Sequence, residues 1–189
     1  MQKELREKFR DYATSGRLYR FDETFIETQQ EYIALVHKYN KTHPARHHAK
    51  QKILKTLFGA VGQNLNILAP LYANWGINTY WGDNCYASYS LTLVDDCEIH
   101  IGCNVILGPN VTLCAVGHPL DPTTRLDSVA FGFPIVIEDN VLIGANATIL
   151  PGVTIGKNSV ICAGSLITKS IPSNCVADGK PGIVVSHIK

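Results

Sequence analysis

Six isoleucines, Ile137, Ile143, Ile149, Ile155, Ile161 and Ile167, follow one another at an unbroken spacing of six residues. A helix returns an apolar side chain to one face every three or four residues, and a strand does so every second residue. Neither gives a sustained period of six. Gly follows the repeat position at Gly144 and Gly156, and small or β-branched residues recur four places on, at Val141, Ala147, Val153, Ser159 and Ser165. An upstream series, Ile101-Gly102, Leu107-Gly108 and Leu113, keeps the same phase, while a weaker one, Trp81-Gly82, Ala87 and Leu93, is offset by two residues. The pattern predicts a mainly β chain wound as a parallel β-helix. Each unit is a short strand and a turn with its repeat residue pointing inward, and three units close a triangular coil of about eighteen residues. Ile137 then stacks under Ile155, Ile143 under Ile161 and Ile149 under Ile167, with coils about 4.8 Å apart. Gly and the asparagines Asn140, Asn146 and Asn158 suit corners that need left-handed backbone. A β-sandwich would place its turns roughly every 8–12 residues instead.

The first 62 residues are of another kind. Leu5, Phe9 and Tyr12 predict a helix over residues 2–13, and a second is expected from about Glu23 to Tyr39. A third follows Pro44 and stops at Gly59 or Gly62. These residues, 1–62, read as a helical cap, and 63–189 as the β-helix with a short C-terminal tail. Residues 45–52, ARHHAKQK, read as the solvated face of the third helix rather than as an anion-binding patch. From His118 to Pro134 the repeat stops. That stretch, rich in Pro, is expected to project as an excursion rather than form a degenerate coil, and such loops on rigid scaffolds often carry function.

A formal net charge of +1 over 189 residues argues against a nucleic-acid binder. No apolar run reaches the roughly 20 residues of a membrane span, and the charged N-terminus has no signal-peptide character, so a cytoplasmic location is expected. The six cysteines form no Cys-x-x-Cys pair and read as reduced, structural thiols.

The stretch from Ile101-Gly102 to Gly117-His118-Pro119, the excursion, then Pro134-Ile135, residues 140–144 and Leu150-Pro151-Gly152-Val153-Thr154-Ile155-Gly156 closely resemble the maltose and galactoside O-acetyltransferases. Ala163-Gly164-Ser165, Thr168-Lys169, Ile171-Pro172 and the N-terminal Gly16-Arg17-Leu18-Tyr19 are similar as well. The resemblance implies a left-handed helix, opposite to the general preference for right-handed crossovers. It also implies a homotrimer with active sites between subunits, acetyl-CoA as donor, no required metal, and O-acetylation of a sugar or sugar-like acceptor.

Acetyl transfer to an alcohol needs a base for the hydroxyl proton and donors for the developing oxyanion. His118, opening the long excursion at the end of a coil, is the candidate base, and the family's catalytic histidine sits in this Gly-His-Pro context. Cys114, four residues before it, offers a covalent alternative. A zinc site would need three histidines, and only His100 and His118 lie in the helix proper. The resemblance assigns acceptor binding to Asp22, Tyr86, Ser88 and Asp96, with Asp95 read as a turn residue. It assigns acetyl-CoA binding to Ala145, Ala163, Thr168 and Lys169. Ser88 replaces a family Asn and Gln29 an Arg, which opens the acceptor's identity. Leu142 replaces a Trp, and Ile183 and Ser186 replace two arginines, predicting weaker phosphate binding. The alternatives are a non-sugar hydroxyl acceptor, such as serine or a xenobiotic, and a non-catalytic trimeric scaffold.

Overall fold

The computed structural model describes residues 18–20, 23–127 and 129–189. The helix expected over residues 2–13 lies outside them, as does Asp22. From Ala60 onward the chain winds into a triangular prism whose faces are three sheets of parallel strands stacked coil upon coil. Face one stacks Ala60–Val61, Thr79–Trp81, Ile99–Ile101, Ile135–Ile137 and Thr154–Ile155. Face two begins at Asn66–Ile67 and Tyr86–Ala87 and ends in the antiparallel pair Cys175–Gly179 and Gly182–His187. Face three stacks Leu71–Ala73, Leu91–Val94, Thr112–Cys114, Thr148–Ile149 and Leu166–Ile167.

The repeat isoleucines stack as their spacing predicts, Ile137 on Ile155, Ile143 on Ile161 and Ile149 on Ile167. All six are buried. Each such side chain contributes about 1.5–3 kcal/mol of hydrophobic stabilisation. The coils differ in length, however. Stacked residues are 20 positions apart in the first coils, 36 across the excursion, then 18, then 16. The two extra residues of the early coils produce the phase offset at Trp81, Ala87 and Leu93. All the variation falls at the edge where face three turns into face one. There the step from Ala73 to Trp81, or from Leu93 to Ile101, exceeds the six-residue step kept at the other two edges.

The edge between faces one and two carries an asparagine ladder. Asn64, Asn84, Asn104, Asn140, Asn158 and Asn174 all hold φ near +60° and pass side-chain hydrogen bonds from coil to coil at 2.8–3.3 Å. Left-handed backbone costs an alanine about 1–2 kcal/mol, and each amide bond adds about 1 kcal/mol. Asn140→Ala is therefore expected to lower the unfolding free energy by about 2 kcal/mol in urea titrations at fixed protein concentration. Asn140→Gly, which relieves the backbone part, should lose less, and equal losses would assign the whole effect to the amide.

Helices Glu23–Lys41 and His47–Leu57 close the lower end of the prism. Val36, Tyr39, Ile53, Leu54 and Leu57 join the core beneath Leu65, Ile67 and Leu71. The same helices satisfy the exposed backbone edge of the first coil. Tyr39 Oη donates to Ile67 O, Gln51 Nε2 to Leu65 O at 2.6 Å, and the Asn40 amide bonds both Leu71 O and N. Among the described residues no helix is long and apolar enough to cross a membrane.

The stretch after Ala115 leaves the prism. Val116–Gly117 pairs antiparallel with Val129–Gly132, which in turn pairs with Tyr19–Arg20, and a short helix, Pro122–Leu126, lies between. The excursion is thereby tied to the N-terminal cap.

Candidate active site

The irregular edge gathers ionisable groups because its extra residues give the backbone room to turn inward. Asp95 is fully buried and Asp96 is 3% exposed. Asp95 accepts from Trp75 N at 2.9 Å and from Thr79 Oγ1 at 3.1 Å, and its own carbonyl accepts from Asn78 Nδ2 at 2.8 Å. These bonds fix the 74–79 turn of the coil below. That turn then presents Asn74 Nδ2 and Trp75 Nε1 to Asp96, at 2.7 and 3.2 Å. Trp75 is held edge-on by Phe25 at 4.7 Å and packs with Tyr32, Tyr19 and Ala130, so the cap helix and the excursion close over it. Asp95 is more than a turn residue: it is a buried strut for its neighbour.

His118 is exposed at the root of the excursion, with Nδ1 3.0 Å from the carbonyl oxygen of Val129. A carbonyl only accepts, so Nδ1 carries the proton of the neutral ring and Nε2 carries the lone pair. Burial pushes the Asp96 carboxyl up, while the Asn74 and Trp75 donors, its own backbone N–H and the nearby His118 imidazole pull it back. Burial, and after it the Asp96 charge, likewise raises the Tyr19 hydroxyl.

Burial pushes Asp95 up to about 7, opposed by the Trp75 N–H, reinforced by the Asp96 charge and opposed again by Thr79. The folded chain thus takes up this proton near neutrality, whereas an unfolded aspartate does so near about 4. Between these values the folded state binds more protons, so stability falls as pH rises from about 4 to about 7 and then levels. Asp95→Asn keeps an oxygen for Trp75 N. Its unfolding free energy should lack the decline that wild type shows across that window in urea titrations at stepped pH. Parallel curves would place the Asp95 titration at the ordinary value.

Cys114 donates to Val116 O at 3.2 Å, and burial raises its thiol above the usual value, which disfavours the thiolate. His100 is engaged elsewhere, 2.9 Å from Glu98 and stacked on Tyr80 at 4.8 Å, beside a groove of about 760 Å³ along face one. No three His, Cys, Asp or Glu side chains among the described residues gather as a metal site.

The remaining sequence candidates divide between edges. Thr168 and Lys169 are exposed on the same edge as Asp96 and His118, higher in the prism. Tyr86, on face two, and Ser88, Ala145 and Ala163, on the edge between faces two and three, are separated from His118 by the whole of face three. That second edge is narrow by necessity: a Cβ on Gly108 would lie 2.7 Å from Ala145 N, and one on Gly144 2.5 Å from Ala163 N. Within one chain the structure does not bring the two groups together. Asn74, Trp75 and Tyr19 belong to no motif that marks them as functional, although the two-residue phase offset marks the turn that carries the first two.

Known proteins resemble this chain in sequence and fold. A family model for the maltose acetyltransferase hexapeptide capping motif matches residues 13–62, and one for the hexapeptide repeat of succinyl-transferase matches residues 134–169. The galactoside O-acetyltransferase of Escherichia coli K12 is 44% identical over 154 residues, 82% of this chain and 76% of the relative. That of Lactococcus lactis is 41% identical over 183 residues, 96% and 88% of the two chains. The crystal structure of a maltose O-acetyltransferase from Clostridium difficile 630 superposes with a TM-score of 0.93 at 38% identity, covering 95% of this chain and 97% of the other. A galactoside acetyltransferase in complex with coenzyme A gives 0.91 at 39% identity, covering 95% and 90%.

Proposed function

Because the chain belongs to the hexapeptide-repeat maltose and galactoside O-acetyltransferase family, we propose that it moves the acetyl group of acetyl-CoA directly onto a hydroxyl of a sugar or sugar-like acceptor, with His118 as general base. The observation that carries this reading is the Val129 carbonyl on His118 Nδ1, which leaves the lone pair on Nε2. That nitrogen takes the hydroxyl proton as the oxygen attacks the thioester carbonyl, then gives it to the CoA thiolate that departs as the carbon–sulfur bond breaks. Asp96, already oriented by Asn74 and Trp75, accepts from a second acceptor hydroxyl. Asp22 is assigned to the acceptor on the resemblance alone.

Tyr86 and Ser88 serve the acceptor, and Ala145, Ala163, Thr168 and Lys169 the donor, in a homotrimer whose sites lie between subunits. The division of these residues over two edges of one prism supports that assembly, since a second copy supplies the missing edge. The small residues at Ala145 and Ala163, backed by Gly108 and Gly144, suit a slender pantetheine arm. The six unpaired cysteines fit the reducing cytoplasm, where we place the enzyme.

The test is thiol release from acetyl-CoA over a panel of galactosides, glucosides and maltose, with light scattering for the oligomer. Acceptor-dependent release from a trimer supports the reading. No release from any acceptor, together with no thermal protection by CoA, would return the chain to a non-catalytic scaffold.

A further inference from the structure

From Tyr32 to Gly82 the chain contains no Asp or Glu but six Lys or Arg and four His. This stretch builds the rear of the cap and the first coil, so one end of the prism is basic on a nearly neutral chain. Arg46, His47 and His48 are exposed, as a solvated helix face should be. Lys50 departs from that expectation. Its ammonium lies 4.3 Å above the centre of the Tyr39 ring, and it forms no ion pair among the described residues. Burial lowers its proton affinity, so it is a cation held partly out of water and not yet matched by a counter-charge.

Lys50 lines a cavity of about 230 Å³ with His47, Gln51, Asn66 and Tyr89, over a floor that includes Ile67 and Leu68. Among the described residues no carboxylate lines it. Its position matters as much as its charge. Asn66 and Ile67 pair with Tyr86 and Ala87 of the next coil, and Leu68 N donates to Ala87 O at 2.9 Å, just before Ser88. Tyr89 follows Ser88 directly. The cavity therefore lies about one coil spacing, ~4.8 Å, from the two residues assigned to the acceptor, within reach of a substituent on a bound sugar ring.

We propose that this cavity receives an anionic substituent of the acceptor, a carboxylate or phosphate ester, so that the enzyme acetylates acidic or phosphorylated sugars in preference to neutral ones. The inference rests on the acceptor role of Tyr86 and Ser88 in the preceding reading. Lys50 supplies the charge, His47 and Asn66 supply further donors, and the basic excess of residues 32–82 raises the local concentration of anions.

The experiment compares methyl β-galactoside, methyl β-galacturonide and glucose 6-phosphate as acceptors, with inorganic phosphate as a competing anion, in wild type and Lys50→Met. Wild type should favour the acidic acceptors by about tenfold in KM, the scale of one charge-assisted hydrogen bond. The preference should shrink with added salt, and in Lys50→Met it should collapse toward one at unchanged kcat. Calorimetry of methyl β-galacturonide binding reads the site without turnover. Heat of binding that Lys50→Met abolishes, in an enzyme that acetylates nothing, keeps the site and sinks the catalytic reading. Turnover of the neutral galactoside with no anionic preference, or a preference untouched by Lys50→Met, overturns the site and keeps the catalytic reading. Inhibition by inorganic phosphate equal for neutral and acidic acceptors would likewise overturn it, as the mark of a general anion surface.

Discussion

His118→Ala is expected to lower kcat for acetyl transfer by about a hundred- to ten-thousandfold, the span that a positioned general base contributes. The variant loses the Nε2 lone pair and also the Nδ1 bond that ties the excursion to Val129 O. Two controls separate these effects. CoA should still raise the melting temperature of the variant, because the residues proposed for the donor lie either on the edge between faces two and three or higher on the His118 edge. Cys114→Ser should keep near-wild-type turnover, since that thiol is spent on Val116 O and burial disfavours its thiolate. Loss of activity in Cys114→Ser with His118→Ala still active would replace direct transfer with a covalent route.

Gly144→Val is expected to prevent the stable fold rather than tune it. The Cβ would sit 2.5 Å from Ala163 N and 2.9 Å from its Cα, both backbone atoms of the next coil. Ordinary overpacking in a core costs about 1–3 kcal/mol, because side chains can move aside. Here the obstacle is main chain held in the ladder by Gly144 N to Ile161 O at 2.8 Å. Opening one coil boundary breaks bonds on all three faces at once. The expression yield of soluble protein and its melting temperature report the outcome, with Ala163→Ser, pointing to solvent, as the neutral companion. A Gly144→Val chain that melts within a few degrees of wild type would mean that coils part locally at low cost.

The repeat isoleucines made the prism legible because an inward position every sixth residue leaves a periodic trace that no other element mimics. The phase offset at Trp81 carried real information too, namely the longer early coils, but its cause needs the strand registers. The buried Asp95–Asp96 pair was only half legible. A local reading gives two aspartates at a turn, and what separates their roles is a neighbouring coil twenty residues away whose Trp75 N–H reaches one and Trp75 Nε1 the other. The pairing of Tyr19 with Ala130 left no trace at all, being a long-range antiparallel contact with no period behind it. His118 stands out through its loop and its resemblance, whereas the tautomer that suits it to the proposed role of base depends on Val129, a residue with no polar side chain to notice. Lys50 was submerged in a basic tract until the fold turned it inward.

Two of the three edges keep strict count from the first coil to the last, while the third absorbs every insertion and deletion, including the whole excursion that His118 opens. Such a molecule is modular in the way an engineer would want. Stability is inherited from the invariant edges, and novelty enters by lengthening or shortening one hinge-side corner without renegotiating the rest. Libraries that vary loop length between Ala115 and Pro134, or residue count between Ala73 and Trp81, should therefore reshape acceptor choice while most members still fold. The same diversity placed on the asparagine edge would yield few survivors.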